Sequence, residues 1–128
     1  MAEMSNFLEQ ALINGTIRGT TYTAPTTVYL ALYTSDPTDA DTGTEVSGGS
    51  YVRQSISFGA PSDGQSTNSA AIEFPQATAD WGTITHVGIR DAITSGNLLY
   101  HTALDASKPI TTGDVFKITS GNLSVTLA

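Results

Sequence analysis

The sequence predicts an all-β fold, an antiparallel β-sandwich of about seven strands, jelly-roll-like or immunoglobulin-like, preceded by a short N-terminal helix. Composition is the first observation behind this: charged residues are only 13% of the chain against 39% apolar. Thr, Ser and Gly are abundant, a mix that suits half-buried strands and tight turns rather than Glu- and Lys-rich surface helices. The second observation is a recurrence of β-branched and aromatic runs separated by Gly, Asn, Ser and Pro. The third is length, since 128 residues provide one core but hardly two. Residues 1–19 are expected to form a helix and arm, and residues 20–128 a single sandwich domain.

Met4, Phe7, Leu8, Ala11 and Leu12 recur at intervals of three and four, which places them along one helical stripe. Ser5 suits the N-cap, Glu9 lies in the first turns, and Gly15 is a natural stop. So short a helix is marginal in water and needs a surface on which to bury its stripe. That surface is either the chain's own domain or a neighbouring subunit.

Residues 26–34 (TTVYLALYT) are apolar on both faces, as in a buried inner strand. Residues 51–58 alternate Ile56 and Phe58 against Arg53, Ser55 and Ser57, which marks one wet face. Further strands are expected at 69–74, 83–90, 97–104, 114–119 and 123–127. Ser95-Gly96-Asn97 and Ser120-Gly121-Asn122 are signals for tight hairpins, because Gly and Asn tolerate positive φ. Residues 61–68 read as a polar hairpin loop. Residues 35–50 form the longest irregular stretch, without apolar periodicity, and such a loop is where binding tends to sit.

The net charge of −7 rests on twelve acidic and five basic residues, and the basic ones (Arg18, Arg53, Arg90, Lys108, Lys117) are scattered. Nucleic acid is not an expected partner, since its backbone requires a basic patch. The chain has no cysteine, which removes disulfides, thiolate chemistry and Cys-based zinc sites. The first residues lack the basic start and apolar run of a secretory signal, and no stretch is apolar for the length of a membrane span. A soluble protein made in a cytoplasm, with no membrane partner, is the expectation.

Asp36, Asp39, Asp41 and Glu45 surround Gly43 in the long loop. Such an oxygen-rich loop could hold calcium, but its spacing does not match the helix-loop-helix calcium motif. A solvated acidic loop, or one tied to Arg53 or another subunit, is the preferred reading. The two histidines, His86 and His101, lie fifteen positions apart in different strands. Without cysteine they make a weak zinc signal, and no Gly-x-Ser-x-Gly elbow marks a nucleophile for them to activate. Trp81, the only tryptophan, is expected to seal one end of the core rather than offer a ligand platform. Gly48-Gly49 fits no phosphate-binding pattern. No catalytic residue, cofactor or metal is expected, and the chain reads as a non-enzyme.

Several segments resemble small structural proteins of tailed bacteriophages, the tail-fibre-like group related to capsid cement or decoration proteins. They are Tyr29 to Pro37, Glu45 to Arg53, Trp81 to Ile89 with Asp91-Ala92, Gly96 to His101, and the closing stretch from Gly113-Asp114 to Leu127. The resemblance implies a virion component assembled in the host cytoplasm, oligomeric, and acting through contacts with the major capsid protein or other virion proteins. A capsid decoration protein is the first functional expectation, because assembly onto a lattice covers exposed strand edges. A tail or tail-fibre-associated protein is the alternative, and a carbohydrate-binding module a further one. Contacts are expected through Phe7, Leu8 and Leu12 of the helix and through Asp36, Asp39, Asp41 and Glu45 of the loop.

Overall fold

The computed structural model describes residues 2–127. They form strand β1 (Glu3–Met4), helix α1 (Asn6–Ile17), β2 (Val28–Tyr33), β3 (Gln54–Ile56), β4 (Gln65–Thr67), β5 (Ile72–Glu73), β6 (Gly82–Arg90), β7 (Leu98–Ile110), β8 (Lys117–Ile118) and β9 (Ser124–Thr126). All pairings are antiparallel. The all-β fold with a short N-terminal helix is as the composition and strand periodicity predict.

β2 shows why the strands stack as they do. Its apolar residues alternate without a wet face, so both sides must be covered. It is an inner strand of a five-stranded sheet in the order β1-β7-β6-β2-β3. Leu30 and Leu32 stand opposite Ile89 and Val87 of β6, and all four are buried on one face. That face meets Ile72, Phe74, Phe116 and Leu123, supplied by two small ladders, β5–β8 and β4–β9, and the segments beside them. One core therefore lies between the large sheet and the two ladders. Phe74 is its aromatic hub, stacked on Tyr51 at 6.0 Å and edge-on to Trp81 and Phe116. The Trp81 indole N–H donates to the Gly49 carbonyl at 2.9 Å, so the ring closes one end of the core, as expected. Burying each such side chain stabilises the fold by about 1.5–3 kcal/mol.

The opposite face of the sheet presents Ala31, Tyr33, Gly88 and His101, with Ala31, Gly88 and His101 in one row across three strands. A Cβ on Gly88 would lie 2.8 Å from both a Tyr33 ring carbon and a Leu98 methyl, so only glycine fits there. The start of the chain and the long loop lie over this face.

Several expectations change. Each of the seven expected runs forms a strand, and two more, β1 at the edge of the large sheet and β4, bring the number among the described residues to nine, because so short a segment shows no apolar periodicity. Residues 65–67, inside the expected polar loop, pair with β9, and β8 pairs with β5. The Ser120-Gly121-Asn122 turn therefore links two different ladders and closes no hairpin. Ser95-Gly96-Asn97 does connect adjacent strands, with Ser95 and Gly96 at positive φ. Helix α1 runs through Gly15 to Ile17 and ends at Arg18 and Gly19, where φ is +71°. Arg53 is buried, not on a wet face, because the β6–β7 connection folds over it.

Candidate interaction surface

The first site begins at Ser5. Its hydroxyl accepts from the Leu8 N–H at 3.2 Å, the N-cap bond expected from the sequence, and donates to the Leu98 carbonyl. The Ser5 N–H reaches the Leu99 carbonyl and the Asn6 N–H the Asp39 carbonyl, both at 2.8 Å. The base of α1 is thus fixed to β7 and the long loop through donors that a free helix leaves open. Beyond it, little is buried. Leu8 is 3% exposed and Leu12 half-buried, while Phe7, Ile13 and Ile17 are 42%, 53% and 79% exposed. Leu8 serves the chain's own sheet, while Phe7 faces outward. Ile13 and Ile17 were not singled out in the sequence, although their i, i+4 spacing is a legible signal.

The second site is the loop 35–50. Val46 inserts into the core and its N–H donates to Leu32, so the loop closes onto the sheet. Its four carboxylates do not share one partner. Asp41 makes a bidentate pair with Arg90 at 2.8 and 2.9 Å, and Arg90 also donates to the Tyr33 hydroxyl and the Gly96 carbonyl. Burial opposes the Arg90 charge, but the Asp41 and Tyr33 contacts outweigh it and raise the guanidinium above its usual range. Glu45 makes a second bidentate pair with Arg53 at 2.8 and 2.7 Å. Arg53 goes on to the Ala92 and Ser95 carbonyls at 2.9 and 2.8 Å. Burial pushes the Glu45 carboxyl up, yet the Arg53 bonds and the Tyr51 hydroxyl hold it below its usual range. Burial and the Glu45 bond push the Tyr51 hydroxyl far up, so it remains a donor.

Asp39 instead meets His101, with 2.8 Å from its carboxylate to Nε2, and Asp36 lies 3.9 Å from both imidazoles. The four loop carboxylates do not converge on one point, so a calcium site of Asp36, Asp39, Asp41 and Glu45 is not formed. Of the alternatives preferred to calcium, the tie to Arg53 is formed, through Glu45, with Arg90 as an equal partner through Asp41. The sequence offered no sign of Arg90, because 49 residues separate it from Asp41.

Two further exposed apolar residues, Val52 and Ile93, flank the Glu45–Arg53 pair on one shallow cavity. Trp81 is 5% exposed and offers no ring face to a sugar. The His86 Nδ1 is 2.8 Å from the hydroxyl of its strand neighbour Thr85. No helix among the described residues is long and apolar enough to cross a membrane.

The arrangement is one of a β body with an outward helix, in which internal ion pairs engage Asp41 and Glu45 of the loop. Comparison with curated proteins finds no match. The model of the family described as Podophage GP4 fiber I protein gp80 matches residues 3–126. That match spans nearly the whole chain, including the helix, the pinned loop and every strand described above, and the chain belongs to that family of phage tail-fibre-like structural proteins.

Proposed function

We propose that this virion structural protein works in the tail-fibre assembly and is joined to its neighbours through α1 and the segment that follows it. The observation that carries the reading is the exposure of Phe7, Ile13 and Ile17 on a helix whose base is immobilised by Ser5 and Asn6. Exposed apolar anchors interspersed with Gln10 and Asn14 on a helix held at a fixed angle suit the helix-in-groove mode of recognition, and fixing the helix in advance lowers the ordering cost of binding. Asp41 and Glu45 serve this role indirectly, by keeping the loop that receives Asn6 in place. The family's description as a fibre protein favours the fibre over the capsid shell. The buried Trp81 argues against a carbohydrate-binding module of the aromatic-platform kind.

Gold-labelled antibody against the chain, applied to purified particles, tests the location. Label at the tail fibres is the expected result. Label spread over the shell would overturn the fibre reading and support the capsid-decoration role.

A further inference from the structure

His86 and His101, the chain's two histidines, are far apart in sequence but close in the fold. β6 and β7 pair His86 with Ala103 and Gly88 with His101, which sets the two imidazoles diagonally on the same face of the sheet. With Glu3 and Asp36 they line one cavity of about 370 Å³ whose wall holds no Lys or Arg. His101 is 5% exposed, and its Nε2 is 2.8 Å from an Asp39 oxygen and 3.9 Å from a Glu3 oxygen. The three ligand atoms lie within 4.8 Å of one another. Bonds of about 2.0–2.1 Å in a tetrahedral zinc site separate neighbouring ligand atoms by about 3.3 Å. Closing a separation of up to 4.8 Å to that spacing takes at most about 1.5 Å of movement by exposed carboxylates, after which one cation meets all three groups.

We propose that Glu3, Asp39 and His101 form a binding site for a divalent transition-metal ion of the zinc class. An imidazole with carboxylates suits such an ion better than calcium or magnesium, which take oxygen ligands. Asp36, 3.9 Å from His101 Nδ1, would orient a metal-bound imidazole as an outer carboxylate on closing by about 1 Å to hydrogen-bond distance. His86, 3.9 Å from Asp36 on the other side, is a supporting residue and not a ligand. Glu3, Asp36 and Asp39 each lie within 3.9 Å of the His101 ring, and the cavity lined by Glu3, Asp36 and His101 has no Lys or Arg among its described residues, which leaves negative charge that a cation neutralises. The ligands come from β1, the long loop and β7, so the ion ties together the three segments that hold the base of α1. A ligand bound only by the folded state stabilises it in proportion to the logarithm of its concentration over Kd.

The test uses tag-free full-length protein, stripped with chelator and titrated with zinc chloride by calorimetry, with thermal unfolding in parallel. One zinc per chain is expected, with Tm rising by about 5 °C or more at a hundredfold excess over Kd. Glu3→Gln and Asp39→Asn, both at exposed positions, are each expected to weaken binding at least tenfold while the zinc-free Tm holds. His86→Asn is expected to leave the stoichiometry unchanged. Absence of saturable binding, or binding that survives both Glu3→Gln and Asp39→Asn, would overturn the site. An equal response to calcium chloride would overturn the assignment to a transition metal.

Discussion

Replacing Arg53 by Met removes the charge while keeping much of the stem that packs in the interior. The loss is four hydrogen bonds, two to Glu45 and one each to the Ala92 and Ser95 carbonyls. Breaking a buried pair by deleting one partner costs about 3–5 kcal/mol, mostly because the other charge is left without compensation. The Glu45 side chain is 24% exposed, so water recovers part of that, and the expected cost is about 2–3 kcal/mol. For a domain of this size each kcal/mol shifts Tm by roughly 4 °C, giving a fall of about 8–12 °C. Urea unfolding at pH 7 measures it, with an unchanged slope showing that the denatured state is the same. A change below about 0.5 kcal/mol, the range of an exposed ion pair, would refute the idea that the Glu45–Arg53 pair clamps the loop to the sheet.

The remaining expectations use other parts of the structure. Glu45 has a carboxyl held below its usual value of 4.5 in the folded chain, so its contribution is present above that value and lost as pH falls through the lower folded one. Glu45→Gln should flatten the acid limb of stability against pH, and a limb of unchanged slope would show that other carboxyls control it. Ile13→Ser with Ile17→Ser should leave the free protein's Tm within about 2 °C, since surface changes cost little, yet abolish incorporation into particles, read by blotting purified virions. Incorporation at the normal level would remove α1 as the contact. Gly88→Ala should cost about 1–3 kcal/mol by overpacking against Tyr33 and Leu98, and a neutral result in chemical unfolding would show that the outer face is looser than the distances indicate.

Much of the strand inventory was legible because it depends on local periodicity. The runs at 26–34, 83–90 and 97–104 became β2, β6 and β7, which bury most of the large sheet. The cap at Ser5 was legible for the same reason, as a capping bond spans only three residues. β5, β8 and β9 fall inside the expected runs at 69–74, 114–119 and 123–127, whereas β1 and β4 were not legible, since two or three residues outside an apolar run carry no period to read. Arg53 was misplaced because alternation assigns a face but cannot show that a later segment will cover it. Phe7, Leu8 and Leu12 were seen as a stripe, but only docking decided that Leu8 turns inward while Phe7 stays out.

By itself the sequence determined the fold class, the helix start, the lack of thiol chemistry and the resemblance to phage structural proteins. These follow from composition, spacing and short-range bonds. The tertiary structure decided which charges meet: Asp41 with Arg90, Glu45 with Arg53, and Asp39 with His101. It also brought His86 beside His101 through the register of β6 on β7. The physical reason is that a side chain's partner depends on strand order and register, which arise from burying one shared core and are not written in any local stretch of the chain.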